Sequence, residues 1–182
     1  MISCSGRQLG LIASLLLASE IAYAGCADFA AADVNWRRCQ FDGASLAGAD
    51  LARAELRDAS FKRADLSGAN LTEVKARRSK YVTAEMQAAI LDDGDFDLAD
   101  FTKTDLTGAS LKNVSLKRAR LFQTVLRDAD LTGADLTGAD MLRTDFSGAT
   151  WIDGESICAE GSIGRCQIQP AQSQAAESEN TN

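Results

Sequence analysis

The chain has 182 residues, 46% hydrophobic and 25% charged, the balance of a single soluble globular or solenoid unit. It contains no histidine, so it lacks the commonest general base and the usual zinc ligands, which sets it apart from most triad hydrolases and zinc enzymes. A net charge of −7 argues against non-specific nucleic-acid binding and suits a soluble protein or one that offers an acidic face to a basic partner.

The first 24 residues read as a targeting segment rather than as structure. Arg7 precedes an apolar run from Leu9 to Ala18, and Ala22-Tyr23-Ala24 has the small-x-small form of a cleavage site. The run is shorter than the ~20 apolar residues that span a bilayer, so the expectation is a cleaved signal peptide, a mature start at Gly25, no membrane span and a periplasmic or secreted location. Tyr23-Ala24-Gly25-Cys26 also resembles a bacterial lipobox, with Tyr where Leu is usual; in that reading Cys26 would carry a lipid anchor.

Cysteine usage agrees with export. Cys4 leaves with the signal, and Cys26, Cys39, Cys158 and Cys166 remain, two near each end. Four cysteines allow three connectivities, among which local pairing is economical: Cys158 with Cys166 and Cys26 with Cys39. For Cys39 a free buried thiol is the alternative, because it falls where a small inward residue is required.

The repeat dominates everything between. From Cys39 the chain reads CQFDG ASLAG ADLAR AELRD ASFKR ADLSG ANLTE, and from Gly94 it resumes as GDFDL ADFTK TDLTG and so on to ATWID. The centre of each of these blocks is Leu, Phe, Met or Trp, and the position two before it is small. A period of five matches neither the 3.6 of a helix nor the 2 of a strand and requires a corner once per repeat. Four sides close a square coil of about 20 residues, and stacked coils stabilise one another because none buries its inner face alone. Such a coil predicts an inner column of Phe41, Phe61, Tyr81 and Phe101, continued by Leu121 and Met141. Leu46, Leu66, Met86, Leu106, Leu126 and Phe146 form a second.

Residues 72–93 keep the phase only formally, with Ala76, Tyr81, Met86 and Leu91 at the centres. Their composition shifts towards helix formers, and Thr83 is placed to cap a short helix over 83–91. The composition favours that helical excursion over degenerate repeats.

The A-(D/N)-L-x-x blocks over 39–71 and 94–151 resemble the pentapeptide-repeat family, a resemblance that implies an all-β, right-handed quadrilateral β-helix. The stretch DVNWRRCQF is similar to the lead-in of exported members, which makes 25–38 an N-terminal cap. Similarly, WIDGESICAEGSIGRC resembles a closing motif that makes 152–166 a stapled C-terminal cap. Residues 167–182 are polar and read as a disordered tail.

Functional candidates are sparse. No nucleophile–base pair, phosphate-binding loop or CxxC motif is present, so neither catalysis nor a cofactor is expected. Asp93, Asp95 and Asp97 fail as an EF-hand loop, since Leu98 and Thr104 stand where Gly and an acid are needed. Asp65, Glu85, Asp105 and Asp145 fall in one column, and Asp50 and Asp130 in another. In cytoplasmic relatives an acidic rod imitates DNA and binds a topoisomerase. Here Arg53, Arg57, Lys62, Arg63, Lys117, Arg118 and Arg120 interrupt the acid. Phe122 and Leu142, one above the other and outward, with Val125 around the corner, form the candidate partner patch. The expectation is a non-catalytic exported scaffold or interaction module with an unidentified protein partner. The acidic DNA mimic and the Cys26 lipoprotein are the alternatives.

Overall fold

The computed structural model describes residues 26–168. One five-residue unit, a turn followed by a bridge, repeats along the chain, and parallel bridges join residues twenty apart from Asn35–Glu55 to Asp130–Thr150. Twenty residues thus make one square coil. Six coils stack into a right-handed quadrilateral β-helix, a rod of ~29 Å at the ~4.8 Å spacing of paired strands.

The backbone explains the period. Between successive coils the N–H of the centre residue donates up (Phe41 to the Ser60 carbonyl, 2.7 Å), and the N–H of the bridge residue donates down (Ser60 to the Cys39 carbonyl, 2.9 Å). Between them the chain turns a corner closed by a bond across three residues, as from the Ala44 N–H to the Phe41 carbonyl at 3.0 Å. The third residue of each turn has positive φ, the signature of a type II turn. Glycine fills some of these corners, but Thr83 (φ 56°) and Leu98 (φ 60°) fill others, at a cost of roughly 1–2 kcal/mol each. The corner N–H still bonds the coil above, from Thr83 to the Thr102 carbonyl at 3.0 Å, and this stacking holds the conformation.

Each coil has four faces, named here by their inward centres. Face 1 is centred on Trp36, Leu56, Ala76, Phe96, Leu116 and Leu136; face 2 on Phe41, Phe61, Tyr81, Phe101, Leu121 and Met141. Face 3 is centred on Leu46, Leu66, Met86, Leu106, Leu126 and Phe146; face 4 on Leu51, Leu71, Leu91, Leu111, Leu131 and Trp151. On face 2 the rings of Phe41, Phe61, Tyr81 and Phe101 lie near-parallel at 5.4, 5.3 and 4.8 Å between successive centroids. Ala76 occupies little of the interior beneath Phe96, whose ring leans to 5.9 Å from Tyr81. A Cβ at Gly94 would meet that ring at 2.6 Å and the Leu91 carbonyl at 2.9 Å, so only glycine fits beside it.

Residues 72–93 contain no helix, which corrects the expected excursion over 83–91. Thr83 is a coil corner rather than a cap, and Glu85 and Ile90 bridge the coils below and above. An isolated helix of one or two turns is marginal. Seated between two formed coils, the same segment pairs its backbone and buries Tyr81, Ala84, Met86, Ala89 and Leu91 completely or nearly so. The columns therefore run through without a break.

At the base, the winding is established by Trp36, inside the stretch read as the N-terminal cap, and a Cys26–Cys39 disulfide closes that end. At the top the chain reverses. Antiparallel bridges Thr150–Ile157, Asp145–Ile163 and Cys158–Ile168 fold it over the last coil at faces 3 and 4, and Cys158 is bonded to Cys166. The expected signal segment 1–24 and the tail beyond Ile168 lie outside the described residues.

Candidate interaction surface

The residue before each centre points outward, and in eleven of the 24 repeats it is an acid. Asp65, Asp105, Asp130, Asp135 and Asp145 each accept the backbone N–H two residues on, at 2.9–3.0 Å, bracing the corner as Asx turns do. These bonds favour the ionised form. The Ser67 N–H and hydroxyl lower the Asp65 pKa, and those of Thr137 with Lys117 hold Asp135 down to about 2. For Asp105 and Asp145 burial pulls upward, but hydrogen bonds from Thr107 and Ser147 respectively outweigh it.

The acidic column expected on face 3 is broken: Val125 bridges Asp105 below and Asp145 above. Asp50 and Asp130 on face 4 are separated by Asn70, Ile90 and Ser110. Asp93, Asp95 and Asp97 do not converge, since Asp93 accepts from Asn113, Asp95 from the Asp97 N–H and Asp97 from the Ser115 hydroxyl. Among the described residues no group of three or more acids or cysteines gathers in a metal-binding arrangement.

Charge divides the rod lengthwise. Faces 1 and 2, which adjoin, carry fourteen Lys and Arg against eight Asp and Glu; faces 3 and 4 carry three against eleven. Cross-coil ion pairs stitch the basic half, Arg78 to Asp58 at 2.7 Å, Lys75 to Glu55 at 2.7 Å and Lys117 to Asp135 at 3.2 Å. Arg127, the one cation on face 3, bonds Asp145 at 3.2 Å and Glu160 of the cap at 2.9 Å.

The expected apolar patch is brought together in part. Phe122 and Leu142 are consecutive on the outer edge of face 2, joined through the Gln123 N–H to the Leu142 carbonyl at 3.1 Å. Leu142 is 61% exposed and Phe122 half-buried, whereas Val125 lies around the corner on face 3.

Missed in the sequence is a groove of about 490 Å³ where face 1 meets face 2, lined by Arg78, Lys80, Leu98, Asp100, Arg118 and Arg120 with Gly138 at its upper end. Its signal was present: reading Arg78, Leu98 and Arg118 in the 20-residue register, as the aromatic column was read, places them one above another.

These features define a repeat solenoid whose side walls carry its charged and exposed apolar side chains. A family model described as pentapeptide repeats matches residues 37–75, 84–118 and 115–150 in eight copies, and the chain belongs to that family, whose members are generally structural or interaction proteins. No curated protein matches the sequence. Among solved structures it is similar to HetL, a pentapeptide repeat protein involved in heterocyst differentiation regulation from the cyanobacterium Nostoc sp. strain PCC 7120. That match is 28% identical, covers 69% of this chain and 65% of that one, and has a TM-score of 0.31. It is also similar to QnrB1, a plasmid-mediated fluoroquinolone resistance protein (22% identical, 62% of this chain and 60% of that one, TM-score 0.46). A third is a pentapeptide repeat protein of the Arabidopsis thaliana thylakoid lumen (22% identical, 72% and 83%, TM-score 0.30). The chain thus spans just under two thirds of the length of the first two.

Proposed function

We propose that this protein is a non-catalytic, exported interaction module, a rigid rod that docks a protein partner along its basic half in the periplasm or outside the cell. The observation that carries this reading is the lengthwise division of charge, with exposed Leu142 beside half-buried Phe122 on face 2 within the basic half. A catalytic centre would gather its groups at one point, whereas the charged side chains here are spread in ladders along flat walls. Export is supported by the signal-like segment 1–24 and by the pairing of Cys26, Cys39, Cys158 and Cys166, since disulfides persist in oxidising compartments.

Two alternatives are weakened by the geometry. The Cys26 sulfur is bonded to Cys39, and a thioether-linked lipid would need the same atom. Duplex DNA is negative all round, whereas half of this rod is basic. Among the described residues no helix is long and apolar enough to cross a membrane.

The test is capture from periplasmic and cytoplasmic extracts with the full chain, beside a Phe122→Asp, Leu142→Asp double variant. A periplasmic protein retained by the natural chain and lost by the variant is the expected result. Capture of a topoisomerase from the cytoplasmic extract, with the variant unaffected, would replace this reading with the acidic mimic.

A further inference from the structure

The groove between faces 1 and 2 has a definite pattern of chemistry along the rod. Its lower rung is Arg78 and Lys80, its upper rung Arg118 and Arg120, and between them lie Leu98 and Asp100. Arg78 is held by Asp58 at 2.7 Å, and Arg120 reaches Asp100 at 3.5 Å. Lys80 and Arg118, one on each rung, are exposed and have no ion-pair partner among the described residues. Above Arg118 stands Gly138, which has no side chain to close the groove on that side, while Asp140 stands above Arg120 at the same end. Leu98 is 43% exposed at a left-handed corner that disfavours it, so an apolar surface is presented where glycine would be easier.

We propose that this groove binds an extended acidic peptide whose carboxylates lie three residues apart. The inference rests on the interaction reading above and names the chemistry of the partner. The two rungs are two coils apart, ~10 Å at the ~4.8 Å spacing of stacked strands. A polyproline-II chain rises ~3.1 Å per residue with three residues per turn, so side chains at i and i+3 point the same way ~9 Å apart. One carboxylate meets Lys80 and the other Arg118, while an intervening proline or aliphatic residue lies against Leu98. Asp100 on the middle rung repels a third acid placed between them, so the groove selects spacing as well as charge. Leu98 also favours a peptide over a sulfated saccharide, which has no comparable apolar side chain to set against it.

The experiment is a fluorescence-anisotropy titration of the full chain with a labelled peptide containing Glu-Pro-Pro-Glu. The controls are a peptide with its glutamates two apart and a sulfated oligosaccharide of equal charge. Binding to Glu-Pro-Pro-Glu should be at least tenfold tighter than to the respaced peptide. It should weaken at least tenfold in a Lys80→Glu, Arg118→Glu variant and about threefold in Leu98→Ser, which leaves the charge unchanged. A Lys62→Glu, Arg63→Glu variant, with the same charge reversal on face 2 away from the groove, should change it less than twofold. All these side chains except half-buried Lys62 are exposed, and unchanged circular dichroism and melting would show that the fold is kept. Absence of binding, equal affinity for both spacings, equal loss in the two charge-reversed variants, or tighter binding of the saccharide would each overturn the proposal. If the extracts yield a partner through Phe122 and Leu142 while the peptide fails, the groove assignment falls and the interaction reading stands.

Discussion

The lower and upper coils fill the same square interior in different ways. From Trp36 to Phe101 the filling is aromatic: the Trp36 ring lies 4.1 Å from that of Phe41, the face 2 rings stack above it, and Phe96 leans in from face 1. The small position leading into face 3 is alanine here, at Ala44, Ala64 and Ala84. Above, face 2 continues as Leu121 and Met141, and that position becomes Thr104, Thr124 and Thr144. Each threonine is fully buried and donates its hydroxyl to a carbonyl 23 residues earlier, that of Tyr81, Phe101 and Leu121 in turn. One half gains cohesion from ring stacking and the other from hydroxyls tied to the coil beneath. A square coil therefore accepts polar atoms in its core as long as each finds a backbone acceptor.

Removing a ring should test the lower half most severely. Phe61 is fully buried between Phe41 and Tyr81, and Phe61→Ala should cost about 3–5 kcal/mol, read as a lowered midpoint in chemical denaturation. A loss below about 1 kcal/mol would mean that the stack contributes little. In the upper half, Thr124→Val keeps the shape and deletes the hydroxyl. The Phe101 carbonyl retains the Thr104 N–H, so the expected loss is only about 1 kcal/mol.

Tyr81 sharpens the contrast because it breaks the rule of the upper half. Its hydroxyl is buried without a hydrogen-bond partner, while the Ser79 hydroxyl donates to the Ala76 carbonyl. Burial pushes the phenol pKa well above its ordinary value. Tyr81→Phe should therefore be neutral or raise stability by up to about 1 kcal/mol, with the stack intact; a clear loss would reveal a partner for the hydroxyl.

The smallest effect at neutral pH concerns the outer ladder. With no histidine and all four described cysteines paired, melting temperature should be flat from about pH 5 to 8. Asp135, held at about 2, contributes stability above the ordinary carboxylate value near 3.9 and loses it as pH falls towards 2. Melts across that window should decline, and Asp135→Asn should make the decline shallower. An identical profile in the variant would remove Asp135 from the account.

Much of this molecule is legible in a row of letters because the repeat has one phase. Once twenty residues are taken as a coil, the aromatic column, the Phe122–Leu142 pair and the small inward positions follow by counting. The helix expected over 83–91 does not form because local propensity is outweighed by the coils on either side. Ala84, Met86, Ala89 and Leu91 are buried between the coils below and above, and a helix over 83–91 would surrender that burial. The groove escaped because Arg118 and Arg120 looked like interruptions of an acidic pattern and Arg78 and Lys80 fell in the stretch that keeps the phase only formally; only stacking shows that Lys80 and Arg118 stand on the rungs below and above Leu98.

The five-residue period, the small and large inward positions and the polarity of the corners are properties of the sequence alone, because each is set by what one repeat must bury or expose. The split of charge between two halves of the rod, the threonine-to-carbonyl ladder and the groove at the corner of faces 1 and 2 were decided by the tertiary structure. Each joins residues about twenty apart, and which residues become neighbours depends on how many sides the coil has and on every intervening repeat keeping its register.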